Sequence, residues 1–412
     1  MVRYLFSNTI SNGVNFLSRW LFNYGLARFM SLSEFGIFSF ISSLANLFKS
    51  FMSFGGQLYL IYKVSKAKDQ KYYYYFKSSL LSIIIALGIS LCLFFVKLFD
   101  QEIINTNHFL FAVLLGSFMV LIQNTYSFFK GSGAFEKEAK GYFIFLTLIV
   151  CSLICFQYNL LVTSLINILI IVLCIHILLF IFSTVQLFLY YKKDNSTKEI
   201  GKIINDMKGF IKERVPYGFH ELQSALYLNA IIIIMGFLVK EQDLALYRSI
   251  QIIIVPISIL PMIFSQVLLK QLTENINNRV YFNKLFRKFL LFALMTGLFL
   301  FTLFYFNGDL IIKLFYGERF DEIEYINQLL LIFASTYLFR FISANYGVLI
   351  TAKDKQKIRM YATSALIVVT VTTTILLTKS LGVLGAAYAN AISYFFIMVV
   401  YIIYSEIKLL RN

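Results

Sequence analysis

Residues 160–190 read LLVTSLINILIIVLCIHILLFIFSTVQLFLY, and residues 191–214 continue as YKKDNSTKEIGKIINDMKGFIKER. The first stretch contains no Asp, Glu, Lys or Arg and exceeds the ~20 apolar residues that a helix needs to cross a bilayer. The second stretch is rich in lysine and forms the longest of the basic loops. An uncharged apolar helix that ends in a basic loop predicts a membrane-spanning segment with its exit in the cytoplasm.

The whole chain has the same apolar character. Of its 412 residues, 59% are hydrophobic and 14% are charged, against about 25% charged residues in an average soluble domain. This composition excludes a soluble enzyme, a disordered chain and a disulfide-bonded scaffold. The cysteines all lie in apolar stretches without ligand partners, so we interpret them as packing residues: Cys92, Cys151, Cys155 and Cys174.

Twelve apolar segments are predicted to be spanning helices, because backbone amides in lipid must be hydrogen-bonded within the chain. They lie near residues 5–27, 36–61, 76–96, 108–129, 141–157, 160–190, 215–238, 245–269, 285–306, 327–351, 360–378 and 382–405. If both termini are cytoplasmic, the cytoplasmic loops hold 27 of the 37 Lys and Arg residues and the outer loops hold six. Since Lys and Arg resist translocation, this bias supports that topology. The net charge of +16 is then mostly a topology signal and does not indicate nucleic-acid binding.

The basic loop divides the predicted helices into six and six. We predict an N-terminal lobe over residues 1–191, a cytoplasmic linker over 192–213 and a C-terminal lobe over 214–412. A weak internal repeat supports the division, since Glu34–Ser39, which enters helix two, resembles Asp243–Arg248, which enters helix eight. The predicted fold is therefore an all-α integral membrane protein, with about 12 transmembrane helices in two six-helix lobes around a central cationic cavity.

Lys77, Arg287 and Lys288 lie at the ends of spans and are counted with the cytoplasmic loops. Five other charged residues lie inside predicted spans, where a charge costs about 2.5–3.5 kcal/mol unless it faces water or the bundle interior. They are Arg19, Lys49, Glu221, Arg248 and Arg340. Each lies on a polar stripe at helical spacing, and the stripes also carry Asn12, Asn15, Asn46 and Gln251. Hydrogen bonding between helices explains any single polar residue equally well. Cations on several helices favour a water-filled cavity that binds an anionic, phosphate-bearing cargo.

Glu221 is the acid that lies within a predicted span, and His220 precedes it. Two interpretations stay open. The pair is a candidate for ion coupling, with Glu221 carrying a proton or binding Na⁺; alternatively, Glu221 forms a structural ion pair with an Arg or Lys of the other lobe. His220 alone is also explained as a hydrogen-bonded packing residue.

The prolines are expected to shape two helices. Pro256 and Pro261 each remove a backbone donor and are predicted to kink or loosen helix eight. Pro216 is predicted to lie in the first turn of helix seven, where its missing N–H has no cost.

Motifs for intrinsic catalysis are absent from the sequence. It contains no GxxxxGK[ST], no HExxH and no GxSxG. We therefore expect a transporter and not an enzyme, with no metal and no cofactor, and with H⁺ or Na⁺ as the candidate coupling ions.

Four short segments carry a family resemblance. They are Ala27–Met30 followed by Glu34–Gly36, Leu314–Phe320, Leu349–Lys355 and Gly382–Ala389. In these segments the chain resembles the polysaccharide-specific transporters of the multidrug/oligosaccharidyl-lipid/polysaccharide flippase superfamily, in particular the Wzx-type O-antigen flippases. Helix one departs from many multidrug extruders of that superfamily, because it carries Asn and Arg where they carry an acid.

The resemblance implies a flippase of the bacterial cytoplasmic (inner) membrane. Such a protein moves undecaprenyl-diphosphate-linked oligosaccharide, an O-antigen or capsule repeat unit, from the cytoplasmic to the outer leaflet, alongside other glycan-assembly proteins. Arg19, Lys49, Arg248 and Arg340 would hold the diphosphate. Two alternatives stay open: a cation-coupled multidrug or small-solute antiporter of the same fold, which predicts an acidic cavity, and a membrane glycan polymerase or ligase.

Overall fold

The computed structural model describes residues 2–66, 70–99, 106–193 and 207–410. Within these ranges the regular structure is helical and no strand occurs, which confirms the predicted all-α membrane fold. The helices are α1 (Val2–Phe29), α2 (Leu32–Ser53), α3 (Gly56–Lys66), α4 (Lys71–Phe99), α5 (Thr106–Gly131), α6 (Phe135–Gln157), α7 (Leu165–Lys193), α8 (Met207–Leu238), α9 (Glu241–Ile254), α10 (Ile259–Glu274), α11 (Arg279–Tyr316), α12 (Ile326–Ala352) and α13 (Gln356–Ser405).

Ten segments of the described chain are long and apolar enough to cross a membrane. One of them, Gln356–Leu410, has 55 residues, whereas a crossing needs about 20. Gly382 interrupts it with φ 58° and ψ −134°, so α13 comprises two helices that match the predicted spans at 360–378 and 382–405. With α1, which has 28 residues, the described helices account for the twelve predicted spans.

The start of α2 is fixed by its own sequence. Ser31 is the N-cap, and its Oγ accepts a hydrogen bond from the Glu34 backbone N–H at 3.3 Å and donates one to Glu34 Oε2 at 2.9 Å. This arrangement resembles a capping box, with the Glu34 carboxylate bonded to the hydroxyl of the cap residue where a standard box uses its backbone N–H. Glu34 Oε1 also accepts from the backbone N–H of Leu165 at 2.9 Å, which ties the first residue of α7 to the same carboxylate.

The second predicted span is not one continuous helix. Instead, α2 ends at Ser53 and α3 begins at Gly56, because Phe54 (φ 42°) and Gly55 (φ 78°) adopt left-handed backbone conformations. Glycine adopts this region readily, but a bulky residue such as Phe does so only when its surroundings hold it there. Since lipid offers no partner for freed backbone groups, the break requires partners from another helix.

The eighth predicted span is also interrupted. A 3-10 segment at Val255–Ser258 joins α9 to α10 and contains Pro256, so the loosening predicted for this helix occurs there. The placement of Pro216 in a first helical turn was wrong. The helix starts eight residues before the predicted position 215, at Met207, and Pro216 lies inside it. The early start reflects packing, because Phe210 and Arg214 of these first turns are buried.

The chain divides into two compact units, residues 1–229 and 230–412. In the first unit, α5 packs against α2, α3, α4 and α7, and α1 packs along α6. The first unit includes the beginning of α8, beyond the lobe boundary predicted at 191. Most of the predicted linker, residues 194–206, lies outside the described residues, so the linker and lobe assignments stay predictions.

The second unit is organised around α12. This helix packs against α13, α11, α10 and α9. Its buried residues include Phe333 and Phe341, and the Phe333 ring meets Tyr247 of α9 at 4.9 Å between centroids. Helix α12 also carries Arg340, so the central helix of this unit holds one of the predicted cavity cations.

Candidate anion-binding cavity

The N-terminal unit contains a cavity of about 190 Å³. Six helices of the unit, α1, α2, α3, α5, α6 and α7, contribute to its wall. Among the described residues that line it, none is Asp or Glu. The lining residues are Asn15, Arg19, Lys49, Gln57, Met119, Ile122, Gln123, Tyr126, Tyr142, Phe145, His176 and Leu179.

The two cations of this cavity come from neighbouring helices. Arg19 of α1 donates through Nε to the Asn15 side-chain oxygen, one helical turn earlier, at 3.1 Å. Lys49 of α2 lies within electrostatic range of Arg19 and also of the Glu221 carboxylate, which is not part of the cavity wall. Two like charges around one polar cavity repel each other, and an anion between them offsets that repulsion. The arrangement is therefore suited to an anion.

The sequence prediction placed Asn12 and Asn46 beside these cations. Neither is among the residues that line the cavity. Asn46 donates to the Ser42 carbonyl oxygen at 2.9 Å within its own helix, and Asn12 is exposed on α1. Their proposed contact with a ligand stays a prediction.

Several polar residues complete the wall and were missed in the sequence. His176 donates through Nδ1 to the Val172 carbonyl oxygen at 2.8 Å, which leaves Nε2 for the cavity. Gln123 donates through Nε2 to Gln57 Oε1 at 3.1 Å, linking α5 to α3. The sequence does mark these residues, because they are polar and lie inside apolar spans. It does not show which helices are neighbours, so it could not place them around one cavity.

Tyr126 is another wall residue that sequence reasoning missed. Its hydroxyl occupies space left by Gly141 of α6, where a Cβ atom would lie 1.8 Å from the Tyr126 hydroxyl oxygen. Tyr142, the residue next to this glycine, also lines the cavity, and the two tyrosine rings meet at 5.2 Å. The glycine therefore allows α6 to approach α5 beside the cavity.

Glu221 does not line the cavity but lies at the break between α2 and α3. Its Oε2 accepts hydrogen bonds from Ser53 Oγ at 3.0 Å and from the Gly55 backbone N–H at 2.8 Å. Lys49 and Arg214 are the cations that act on this carboxylate. The neighbouring His220 is exposed, and the ion-coupling role suggested for the pair stays a prediction.

Arg214, which the sequence placed at the end of the basic stretch 191–214, lies within helix α8. Its side chain is fully buried. Its Nε donates to the Phe54 carbonyl oxygen at 3.2 Å, and its Nη2 donates to the Ser53 carbonyl oxygen. The guanidinium also lies over the rings of Tyr59 and Phe210, at 5.6 and 5.2 Å.

The C-terminal unit holds the other two predicted cations in polar, aromatic surroundings. Arg248 donates through Nη1 to Gln251 Oε1 at 2.6 Å, and its buried Nε has no hydrogen-bond partner within the described residues. The Arg340 guanidinium lies over Tyr337 and Tyr394, at 5.5 and 5.7 Å from the ring centroids. Arg340 thus faces aromatic surfaces, and its role in binding a ligand stays a prediction.

Comparison with known proteins assigns the family. The model of the polysaccharide biosynthesis protein family matches residues 1–269, well over half of the chain. The chain belongs to this family. The match covers α1 to α9 and therefore all of the N-terminal cavity. None of the curated proteins compared with the sequence matches it significantly.

Solved structures of similar fold include transporters of the MOP superfamily. An inward-facing multidrug resistance MATE family transporter superposes with a TM-score of 0.72 at 12% identity, covering 97% of this chain and 98% of that one. The lipid II flippase MurJ, in an inward closed conformation, gives 0.69 at 16% identity and covers 98% and 88%. At such identities the likeness establishes a shared fold only.

A third similar structure is a MOP superfamily transporter from Pyrococcus furiosus Vc1, whose described binding pocket has reverse polarity. It superposes with a TM-score of 0.61 at 12% identity, covering 100% of this chain and 96% of that one. The protein is thus a multi-pass membrane protein of a polysaccharide biosynthesis family with a transporter fold.

Proposed function

We propose that the protein is an alternating-access flippase that moves undecaprenyl-diphosphate-linked oligosaccharide from the cytoplasmic to the outer leaflet of the bacterial inner membrane. The observation that carries the proposal is the cavity lined by Arg19 and Lys49 without a lining carboxylate. Guanidinium and ammonium groups bind phosphate oxygens through charge-assisted hydrogen bonds. Family membership supports a role in polysaccharide assembly.

The size of the cavity supports a division of the cargo. A volume of about 190 Å³ is below the ~300–1,000 Å³ of pockets that enclose a drug-sized ligand. In this proposal the cavity takes the diphosphate, the sugars occupy water outside it, and the prenyl chain stays in lipid. Arg248 and Arg340 are proposed as further phosphate ligands during transfer.

The cationic lining favours this proposal over a multidrug antiporter, for which an acidic cavity was predicted. The transporter fold favours a flippase over a glycan polymerase or ligase. The carbohydrate is an O-antigen or capsule repeat unit in this proposal, and H⁺ or Na⁺ supplies the driving force without a bound cofactor. Membrane lipids and other glycan-assembly proteins are the proposed partners, and both termini are cytoplasmic.

The proposal is tested with purified protein in liposomes that contain a lipid-diphosphate-linked oligosaccharide. An impermeant enzyme that degrades exposed glycan measures how fast the inner-leaflet pool becomes accessible, with and without an imposed H⁺ or Na⁺ gradient. We expect protein-dependent exposure of the glycan. Dye efflux without glycan exposure would favour the antiporter instead, and glycan chain growth would establish a polymerase.

A further inference from the structure

The break in the second span is held by two side chains of α8. Glu221 accepts from Ser53 Oγ and from the Gly55 backbone N–H. Arg214 donates to the carbonyl oxygens of Ser53 and Phe54. One backbone donor at the break, the Gly55 N–H, and two backbone acceptors, the Ser53 and Phe54 carbonyls, therefore find partners on a single neighbouring helix.

The signs of these charges match the ends of the interrupted helix. The carbonyl groups at the C-terminal end of α2 carry partial negative charge, and the amide groups at the start of α3 carry partial positive charge. Arg214 binds the carbonyl end, and Glu221 binds an amide at the other side of the break. The pair is therefore electrostatically complementary to the two helix ends that it joins.

The backbone of the break and the backbone of α8 are in close contact, which leaves no space for water or lipid between them. A Cβ atom on Gly55 would lie 2.4 Å from the Gly218 backbone nitrogen, and one on Gly218 would lie 2.9 Å from the Phe54 ring. Neither water nor lipid can replace α8 at such a separation. The left-handed conformation of Phe54 is thus maintained by α8 itself.

The break lies between two residues of the cavity wall. Lys49 belongs to the last two turns of α2, and Gln57 belongs to the first turn of α3. Because the geometry at Ser53–Gly55 sets the relative placement of the two helices, it also sets the placement of Lys49 and Gln57 around the cavity. A change at the break is transmitted to the wall within two helical turns.

We propose that Arg214 and Glu221 are positioning residues that hold the broken second span in the shape required by the cavity. Glu221 acts in this role as a hydrogen-bond acceptor, and it need not carry a coupling ion. The relevance for diphosphate binding rests on the proposed function. The hydrogen bonds of Arg214 and Glu221 with the break are present in the protein without substrate, so their positioning role can be tested separately.

The test uses Gln57→Cys as a reporter in a protein whose four native cysteines are replaced by serine. The rate at which a charged, impermeant methanethiosulfonate reagent modifies the reporter is measured in nanodiscs without substrate. In Glu221→Ala and in Arg214→Gln we expect the rate to rise about tenfold, or about 1.4 kcal/mol, because each variant removes the two hydrogen bonds by which that residue holds the break. Glu221→Gln retains an amide oxygen that accepts from both donors, so we expect its rate to stay within about twofold of the parent.

Lys212→Gln is the matched control, because Lys212 is an exposed cation on the same helix, two residues before Arg214. It should leave the labelling rate unchanged. If Glu221→Ala or Arg214→Gln does not yield monodisperse protein, Ser53→Ala removes one donor and keeps both charges; we expect it to raise the rate about threefold.

Parental labelling rates in Glu221→Ala, Arg214→Gln and Ser53→Ala would overturn the proposal. Equal effects of Glu221→Gln and Glu221→Ala would also overturn it, because the charge of the residue and not its acceptor oxygen would then matter. The pH dependence of flipping gives a second readout, since Glu221→Gln should keep the parental pH profile. Should the parent fail to flip a lipid-linked oligosaccharide, the proposed function fails. The labelling result would still show whether Arg214 and Glu221 hold the break in place.

Discussion

Arg19 and Lys49 are the residues on which the candidate site depends. They lie on different helices and line the same cavity. Their individual positions were predictable, because a charge inside an apolar span must face water or a polar interior. Their convergence with Gln123 and His176 was not, since it depends on which helices adjoin.

Neutralising either cavity cation should impair transport. We expect Arg19→Gln and Lys49→Gln each to slow flipping of a lipid-diphosphate glycan in liposomes about tenfold or more, since each removes a charge-assisted contact worth at least ~1.4 kcal/mol. Lys379→Gln, which alters an exposed lysine, should flip at the parental rate. Parental rates for both cavity variants would show that the cations do not contact the cargo.

The Tyr126 hydroxyl fills the space beside Gly141, so we expect a larger residue at position 141 to disturb the packing. In Gly141→Ala the new Cβ would lie 1.8 Å from the tyrosine hydroxyl oxygen, so the ring or α6 must move. We expect the variant to lose about 1–3 kcal/mol of stability, as overpacked interiors do, seen as a lower midpoint of thermal unfolding in detergent. An unchanged midpoint would indicate that the Tyr126 side chain can adopt another position at no cost in stability.

Helices were largely predictable as elements, and their interruptions were only partly so. Proline marks the 3-10 segment at Val255–Ser258 in the sequence. No helix-breaking residue as strong as proline marks the break after Ser53, where Phe54 adopts a left-handed backbone conformation that is unusual for a bulky residue. That break is stabilised by Glu221 and Arg214, more than 150 residues away in the chain, and such contacts are not visible in local sequence.

Gly382 separates the last two spans, and we expect its backbone conformation to disfavour any other residue there. Alanine there must adopt φ 58° and ψ −134°, although a Cβ would meet no atom within 4 Å. The cost is therefore conformational, and we expect Gly382→Ala to destabilise the protein by about 1–3 kcal/mol.

Gly88→Ala is its control, because Gly88 is helical and a Cβ there also meets no atom within 4 Å. This substitution should be neutral or stabilising by about 0.5–1 kcal/mol, since glycine weakens a helix interior. Equal unfolding midpoints for the two variants would contradict a conformational role for Gly382.

At the scale of the whole molecule, the distribution of Lys and Arg along the chain predicts the topology. Spans 360–378 and 382–405 form one long helical segment, which Gly382 divides. The order and approximate positions of the spans were predictable, because apolar length is a physical requirement of the bilayer, but the start of α8 lies eight residues before its predicted position. The packing of the first part of α8 with the N-terminal unit was not predictable in this way, since it depends on contacts between distant parts of the chain.

Topology is tested by labelling single cysteines in intact cells, in the cysteine-free protein. Lys379→Cys should react with an impermeant thiol reagent from outside, whereas Lys357→Cys and Lys408→Cys should react only after the membrane is opened. All three residues are exposed in the structure. Reaction of Lys379→Cys and Lys357→Cys from the same side would contradict two separate crossings within residues 356–405.

The N-terminal cavity is proposed to select a diphosphate over a monophosphate. This selectivity is measured by comparing flipping of the same oligosaccharide on a prenyl diphosphate and on a prenyl monophosphate, in liposomes, by the parent and by the Arg19→Gln/Lys49→Gln double variant. We expect the parent to flip the diphosphate carrier about tenfold faster or more, and the double variant to lose this preference. Equal rates for the two carriers in the parent, or an unchanged preference in the double variant, would show that the cavity cations do not select the diphosphate.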